Sequence, residues 1–135
     1  MYQQNTLAGK VAFIAGGTSG INLGIAKGLV AVGASVAVLG RNLEKAKAAA
    51  VEIMTEVGGK AIALSADVRD PEQVQAALQS SVDQLGKIDI LISGAAGNFP
   101  APAVAINPKG FKTVIDIDLI GTYNVFHLGF NYVNK

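Results

Sequence analysis

Residues 11–22 read VAFIAGGTSGIN and carry the strongest structural signal in the 135-residue chain. The apolar run Val11–Ile14 is typical of a buried strand, and apolar residues then recur at helical spacing from Ile21 to Val32. Small residues between the two let backbone N–H groups approach a pyrophosphate, and a helix N-terminus adds partial positive charge. We therefore expect a nucleotide-binding loop here, with a tight turn that needs glycine only for its conformation as the plainer alternative.

The rest of the chain alternates strand and helix patterns. Further strands are expected at residues 35–39, 61–64 and 88–92, and further helices from Asn42, from Asp70 and around Phe111 onward. Asn42 and Asp70 are favourable N-caps, and Pro71 with Gln73 suits a first turn closed by a capping box. Parallel strands joined by helices predict a doubly wound α/β sheet of Rossmann type, with strand order 3-2-1-4. We interpret residues 1–135 as one dinucleotide-binding domain.

Two helices show an apolar stripe that predicts which face is buried. In the first helix the stripe contains Ile21, Ile25 and Leu29. In the last helix it contains Phe111, Ile115, Leu119, Thr122 and Phe126.

Composition excludes several classes of function. The net charge is +1, from 11 basic minus 10 acidic residues, so the chain lacks the basic field of a nucleic-acid binder. There is no cysteine and one histidine, so no metal site is expected, and His127 is expected on a surface or at an interface. The glycine-broken apolar stretch 28–40 is too short to cross a membrane, and the N-terminus lacks a signal-peptide pattern, so we expect a cytoplasmic protein.

The candidate site residues follow the predicted strands, where the carboxyl ends of a parallel sheet bind ligands. They are Gly16, Thr18, Ser19, Gly20, Ile21, Asn22, Arg41, Asn42, Asp67, Val68, Ala95, Ala96 and Gly97. Arg41 stands where an acidic residue would favour NAD, so it favours NADP(H) through its 2′-phosphate. Asp67 suits either an adenine amino group or a loop cap. Asp116 and Asp118 are two residues apart on one helix, so only one can face the site.

From about Leu7 to Tyr132 the sequence resembles the amino-terminal half of the short-chain dehydrogenase/reductases. The family motif Thr-Gly-x-x-x-Gly-x-Gly appears as residues 15–22, with Asn22 in place of the last glycine. Asparagine tolerates left-handed backbone better than most residues, so cofactor binding is expected to survive this change. The family's adenine-binding Asp matches Asp67, and its Asn-Asn-Ala-Gly motif appears as residues 93–96.

Within that family, residues 95–99 and 111–118 look most like the 2,4-dienoyl-CoA reductases of peroxisomal type. Those enzymes carry an Asp where most members carry a helix Asn, and Asp118 matches it. The resemblance therefore implies a catalytic role for Asp118 and NADP(H)-dependent reduction of a small-molecule substrate, such as an enoyl- or dienoyl-CoA thioester. The family's Ser, Tyr and Lys are expected in a half that would follow Lys135, so the chain looks like a fragment or a truncated product.

Two other functions remain open at this point. The chain could be a non-catalytic nucleotide-binding or interaction module, or a flavodoxin-type domain whose glycine loop holds FMN phosphate. An apolar edge strand at residues 88–92 would favour self-association, so a homo-oligomer is expected.

Overall fold

The computed structural model describes residues 2–98 and 100–133. Strands and helices alternate along most of the chain. The elements are β1 (Val11–Ala15), α1 (Gly20–Ala31), β2 (Ser35–Gly40), α2 (Leu43–Glu56), β3 (Ala61–Ser65), α3 (Pro71–Leu85), β4 (Ile90–Ser93), a 3₁₀ turn (Ala103–Ala105), α4 (Pro108–Ile115), a π-helical segment (Asp116–Ile120) and α5 (Gly121–Val133). Phe99, part of the motif quoted above, lies outside the described residues.

The four strands form one parallel sheet in the order β3-β2-β1-β4. This order and the doubly wound class agree with the expectation from sequence. A flavodoxin-type sheet places β3 beside β1, whereas here β4 occupies that position, so the flavodoxin alternative is wrong. The fourth strand begins at Ile90 rather than Ile88, although Ile88 is fully buried just ahead of it.

Alternate strand residues face two helical layers, as the pleat requires. Ile14 and Val38 face a core that includes residues of α1 and α2. Phe13 and Leu39 face a second core that includes residues of α3 and α5. The sheet is therefore covered on both faces, and its carboxyl edge is left to the loops.

The N-caps of α2 and α3 form as expected. The Asn42 side chain accepts the Lys45 N–H at 3.1 Å, and Asp70 accepts the N–H groups of Glu72 and Gln73. The expected capping box does not close onto the Asp70 N–H. Instead, the Gln73 amide donates to the Asp70 carboxylate at 3.0 Å and accepts the Asp67 N–H at 2.9 Å.

The predicted face of α1 was wrong. Ile21 is 84% exposed and Ile25 is 38% exposed, whereas Ala26 and Val30 are buried. Leu29 packs at the edge of the core. A small alanine lets the helix axis approach the sheet closely, so the buried side is narrower than the apolar stripe suggests.

The predicted face of the last helix was also wrong. Phe111, Leu119 and Phe126 are exposed, and the buried side carries Ile117 and Val125. Two features of the buried side explain why the spacing of large apolar residues did not predict it. A π segment at Asp116–Ile120 changes the helical phase, and glycines make two of the contacts, Gly121 with Val68 and Gly129 with Leu91.

A pair of truncations tests this assignment of the buried face. Val125 is fully buried and Leu119 is 61% exposed. Val125→Ala should lower the free energy of unfolding by about 1.5–3 kcal/mol, because it removes two methyl groups from the core and leaves a cavity. Leu119→Ala should change it by less than about 0.5 kcal/mol. Urea denaturation measures both, and the opposite ranking would restore the face predicted from the apolar stripe.

Candidate functional site

A cavity of about 360 Å³ opens at the carboxyl ends of the strands. Residues from the loops after all four strands line it. The lining consists of Gly16, Thr18, Ser19, Asn22, Leu39, Gly40, Arg41, Asn42, Lys45, Ala66, Asp67, Val68, Gly94, Ala95, Ala96 and Ile117. The structure therefore brings ten of the thirteen expected cofactor-binding residues to one cavity, and leaves Gly20, Ile21 and Gly97 outside its lining.

Gly16 sits where two loops touch, backbone to backbone. We call residues 16–19 the β1 loop and residues 94–98 the β4 loop. A Cβ on Gly16 would lie 2.6 Å from the Ala95 nitrogen, and its φ of +76° is one that other residues rarely adopt. The Gly16 N–H also donates to the Leu39 carbonyl at 2.8 Å. Glycine is required here by its backbone conformation and by the lack of space for a Cβ. The same residue therefore forms both the tight turn and part of the cavity floor.

The N-terminus of α1 has no side-chain cap. The other helices that follow a strand or loop are capped by a side chain that accepts backbone N–H groups. Asn42 caps α2, Asp70 caps α3, and Asn107 caps α4 by accepting the Gly110 N–H. Ser19, the N-cap of α1, accepts none through its side chain, and the first turn carries no acidic residue. The backbone N–H groups of the first turn of α1 therefore have no side-chain acceptor. Together with the positive end of the helix dipole, they could bind an anionic ligand beside the cavity.

Cationic side chains gather at the β2 end of the cavity. Arg41 follows β2, and Ser65 Oγ donates to its carbonyl at 3.0 Å. Lys45, in the first turn of α2, also lines the cavity and was missed from the sequence. Arg41 precedes the N-cap Asn42 and lies outside α2, so helical spacing gave no signal that would pair Lys45 with it. Two positive charges therefore lie at one end of the cavity.

Asp67 lines the cavity and is also paired with Arg69. The guanidinium donates Nε to Oδ1 at 2.9 Å and Nη2 to Oδ2 at 2.7 Å. The hydrogen bond from Arg69 holds the pKa of the Asp67 carboxyl below its usual value, so it is charged at neutral pH. Both oxygens of the Asp67 carboxylate already accept hydrogen bonds from Arg69. An adenine amino group that donated to Asp67 would share this acceptor with Arg69.

Val68 is held by two residues of α5 that the sequence did not reveal. The buried Asn124 side chain donates to the Val68 carbonyl at 2.9 Å. A Cβ on Gly121 would lie 2.5 Å from Val68 Cγ2, so the helix packs closely against this loop. The cavity wall after β3 is fixed by a helix distant in sequence.

Asp118 contacts the β4 loop rather than the cavity lining. Its Oδ1 accepts the Gly97 N–H at 2.8 Å. Asp116 pairs with Lys112 at 2.6 Å, and its charge also helps to raise the pKa of Arg69, the partner of Asp67. That only one of the two carboxylates faces the site stays a prediction. Asp118 lies in the π segment, where Thr122 Oγ1 donates to its carbonyl. The expected catalytic residue thus holds the backbone of the loop beside the cavity.

The expected reason for tolerating Asn22 was wrong. Asn22 lies within α1, and among the described residues Asn5 alone, apart from glycines, has a positive φ. Its left-handed tolerance is therefore not used. Instead, its side-chain Nδ2 donates to the Gly94 carbonyl at 2.9 Å and bridges the first turn of α1 to the β4 loop.

Comparison with known sequences places these features in a family context. The sequence model of the short chain dehydrogenase family matches residues 10–135. The chain is 44% identical to a mouse peroxisomal 2,4-dienoyl-CoA reductase over 93% of its own length and 43% of that protein. It is 39% identical to the Arabidopsis thaliana protein of that name, over 99% of its length and 45% of the relative. The chain thus spans less than half of these curated relatives.

Solved structures show the same likeness. A citronellol catabolism dehydrogenase from Pseudomonas aeruginosa matches with a TM-score of 0.89 and 32% identity, over 97% of this chain and 53% of that one. A 3-ketoacyl-(acyl-carrier-protein) reductase from Brucella melitensis, complexed with NADH, matches with a TM-score of 0.84 and 31% identity, over 94% and 51%. Among the described residues, no helix is long and apolar enough to span a membrane.

Substitution of Gly16 tests the contact between the loops. Gly16→Ala should lower the free energy of unfolding by at least about 2 kcal/mol, from backbone strain and from overlap with Ala95. The matched control is Gly24→Ala, in the middle of α1 with nothing within 4 Å of the added methyl group. It should stabilise by about 0.5–1 kcal/mol, because alanine favours helix. Equal effects of the two substitutions in thermal unfolding would contradict the proposed contact.

Two substitutions of Asp118 test its contact with the loop. Asp118→Ala should expose the Gly97 amide and speed its hydrogen exchange about ten-fold, because a charge-assisted hydrogen bond of at least about 1.5 kcal/mol is lost. Asp118→Asn keeps an oxygen acceptor and should retain most of the protection. NMR-detected exchange measures this, and unchanged exchange in Asp118→Ala would show that the contact does not hold the loop.

Proposed function

Since the chain belongs to the short-chain dehydrogenase family, we propose that it is the NADP(H)-binding part of an oxidoreductase that reduces enoyl- or 2,4-dienoyl-CoA thioesters. The observation that carries the cofactor assignment is the cavity that joins the uncapped α1 N-terminus to Arg41 and Lys45. Its residues occupy the carboxyl edge of a parallel sheet where strand order reverses, the usual location of a dinucleotide. Residues 1–135 act as one domain in this proposal.

The residues fit the diphosphate of a dinucleotide. Gly16 and Gly40 leave no side chain where a Cβ would meet Ala95 or Thr18, so backbone forms the cavity floor. Thr18 and Ser19 add hydroxyl donors. Gly20 and Ile21 are the first residues of α1, and their backbone N–H groups are further donors beside these hydroxyls. Gly20 and Ile21 therefore contribute backbone rather than cavity-lining side chains, and the helix dipole adds to the attraction of a diphosphate.

A 2′-phosphate fits the β2 end. Arg41 presents a planar guanidinium suited to a phosphate, and Lys45 adds a second charge. Asn42 caps the helix that carries Lys45, and no acidic residue stands between β2 and α2 to bind a free 2′-hydroxyl. Asp67 and Val68 form the wall against which the adenine would lie. These charges support NADP(H) over NAD(H).

The substrate assignment rests on the relatives and on Asp118. Several relatives are named as 2,4-dienoyl-CoA reductases that produce (3E)-enoyl-CoA. The chemistry that NADPH would supply here is hydride transfer to such a conjugated system. Ala95, Ala96 and Gly97 leave space for the nicotinamide ribose, and Asp118 holds that loop through Gly97. We assign Asp118 to the catalytic centre on its match to the reductases' Asp, and its position beside the β4 loop is compatible with that role.

A nucleotide-binding module without turnover is the second candidate. No tyrosine is present among the described residues that line the cavity, so the family's proton donor is not supplied there. Turnover of a dienoyl-CoA by the 135-residue chain would exclude this candidate, whereas NADPH binding without turnover would favour it.

The remaining assignments stay predictions. Self-association and a cytoplasmic location are proposed from the sequence, and the names of several relatives place those proteins in peroxisomes. Nucleic acid is not an expected partner, because the net charge is only +1.

Substitution of Arg41 tests the choice of cofactor. Arg41→Ala should weaken NADPH binding about 10–100-fold and change NADH binding by less than about three-fold, because only NADPH loses a charge-assisted hydrogen bond. Fluorescence titration measures both affinities. The matched control is Lys47→Ala, which removes one exposed charge from α2, the helix that follows Arg41, where Lys47 pairs with Glu44.

The control should leave both affinities unchanged. Equal losses of NADPH and NADH affinity in Arg41→Ala would argue against a 2′-phosphate site, and no dinucleotide binding by the parent chain would overturn the proposed function.

A further inference from the structure

Asn22 connects two segments that lie far apart in the sequence. It occupies the first turn of α1, and its Nδ2 donates to the carbonyl of Gly94, 72 positions later, at 2.9 Å. The hydrogen bond is partly buried, and a hydrogen bond shielded from water is electrostatically stronger than a solvent-exposed one. The side chain, rather than the backbone, is therefore what this position contributes.

Gly94 is shaped to receive that side chain. A Cβ on Gly94 would lie 2.5 Å from Asn22 Cγ and 2.6 Å from its Oδ1, and the three nearest atoms all belong to the Asn22 amide. Gly94 is not among the glycines with positive φ, so its backbone conformation is open to other residues. Glycine is needed at position 94 because asparagine occupies position 22, and the two residues are complementary in size.

The pair lies at the end of the cavity away from the cations. Asn22 and Gly94 both line the cavity, on the side of β4, while Arg41 and Lys45 line it on the side of β2. The Gly94 N–H is fixed by the Ala15 carbonyl at 2.8 Å. Both polar groups of the Gly94 backbone are thus held, one by strand β1 and one by helix α1.

We propose that Asn22 and Gly94 form a complementary pair that positions the nicotinamide half of the dinucleotide by fixing the β4 loop to the first turn of α1. The proposal rests on the cofactor assignment above. If phosphates lie at α1 and the 2′-phosphate lies at Arg41, the other half of the dinucleotide must extend toward β4. Asn22 is then a positioning residue: it acts through the β4 loop, and the adenosine half does not depend on it.

A double-mutant cycle tests the complementarity of the pair. Gly94→Ala should lower the melting temperature by about 4–10 °C, because the added methyl group overlaps the Asn22 amide. In the Asn22→Ala background, which removes all three overlapping atoms, the same substitution should cost less than half as much. Gly24→Ala, an added methyl in open space on α1, is the control and should not lower the melting temperature. Equal costs of Gly94→Ala in both backgrounds would overturn the pairing.

Two ligands test the positioning role. Asn22→Ala should weaken NADPH binding about five-fold, as for the loss of one neutral hydrogen bond. Binding of 2′,5′-ADP, which carries the adenosine half and its 2′-phosphate, should change by less than about two-fold. Equal weakening of both ligands, or of neither, would overturn the positioning role.

The design separates this inference from the cofactor assignment. If the parent chain binds neither NADPH nor 2′,5′-ADP, the proposed function fails and the positioning role fails with it. The melting-temperature cycle still decides whether the pair exists. If the parent binds both ligands and the cycle shows no coupling, the cofactor assignment stands and the pair alone is rejected.

Discussion

The approach of two backbones, Gly16 in the β1 loop and Ala95 in the β4 loop, constrains the whole carboxyl edge of the sheet. A Cβ on Gly16 would lie within 2.7 Å of three backbone atoms, so the two loops leave no room for a side chain between them. This contact exists because β1 lies between β2 and β4. Strand order therefore determines which loops meet, and small residues determine how closely.

The long helical region after the β4 loop contacts the loops that follow β3 and β4. Asp118 binds the Gly97 N–H, and Asn124 binds the Val68 carbonyl. These two hydrogen bonds reach loops that follow different strands, so the helical region connects the β3 and β4 sides of the site. The π segment at Asp116–Ile120 sits at Asp118, and an irregular helical turn at that point is typical of functional sites.

The sequence was most informative where a single residue determines local structure. The N-caps Asn42 and Asp70 and the glycine at position 16 were predicted because their roles depend on one side chain or on its absence. The alternation of strands and helices also predicted the sheet order. The sequence was least informative about helix faces, because α1 and α5 dock through Ala26, Gly121 and Gly129. These small residues pack closely but carry little hydrophobic signal, and the large apolar residues Ile21 and Phe111 face outward.

Contacts between distant segments explain what was missed at the site. Asn22 was considered for its backbone, but its role depends on an empty space at Gly94 that only the folded structure shows. Lys45 and Asn124 were missed because their significance depends on which loop lies opposite. The resulting cavity is asymmetric, with Arg41 and Lys45 at one end and small uncharged residues at the other, although the net charge of the chain is only +1. The cations lie at the β2 end, with Asp67 on the wall after β3, so an anionic dinucleotide would have one favourable direction of binding, with its phosphates near Arg41 and Lys45 and its nicotinamide toward the uncharged β4 end.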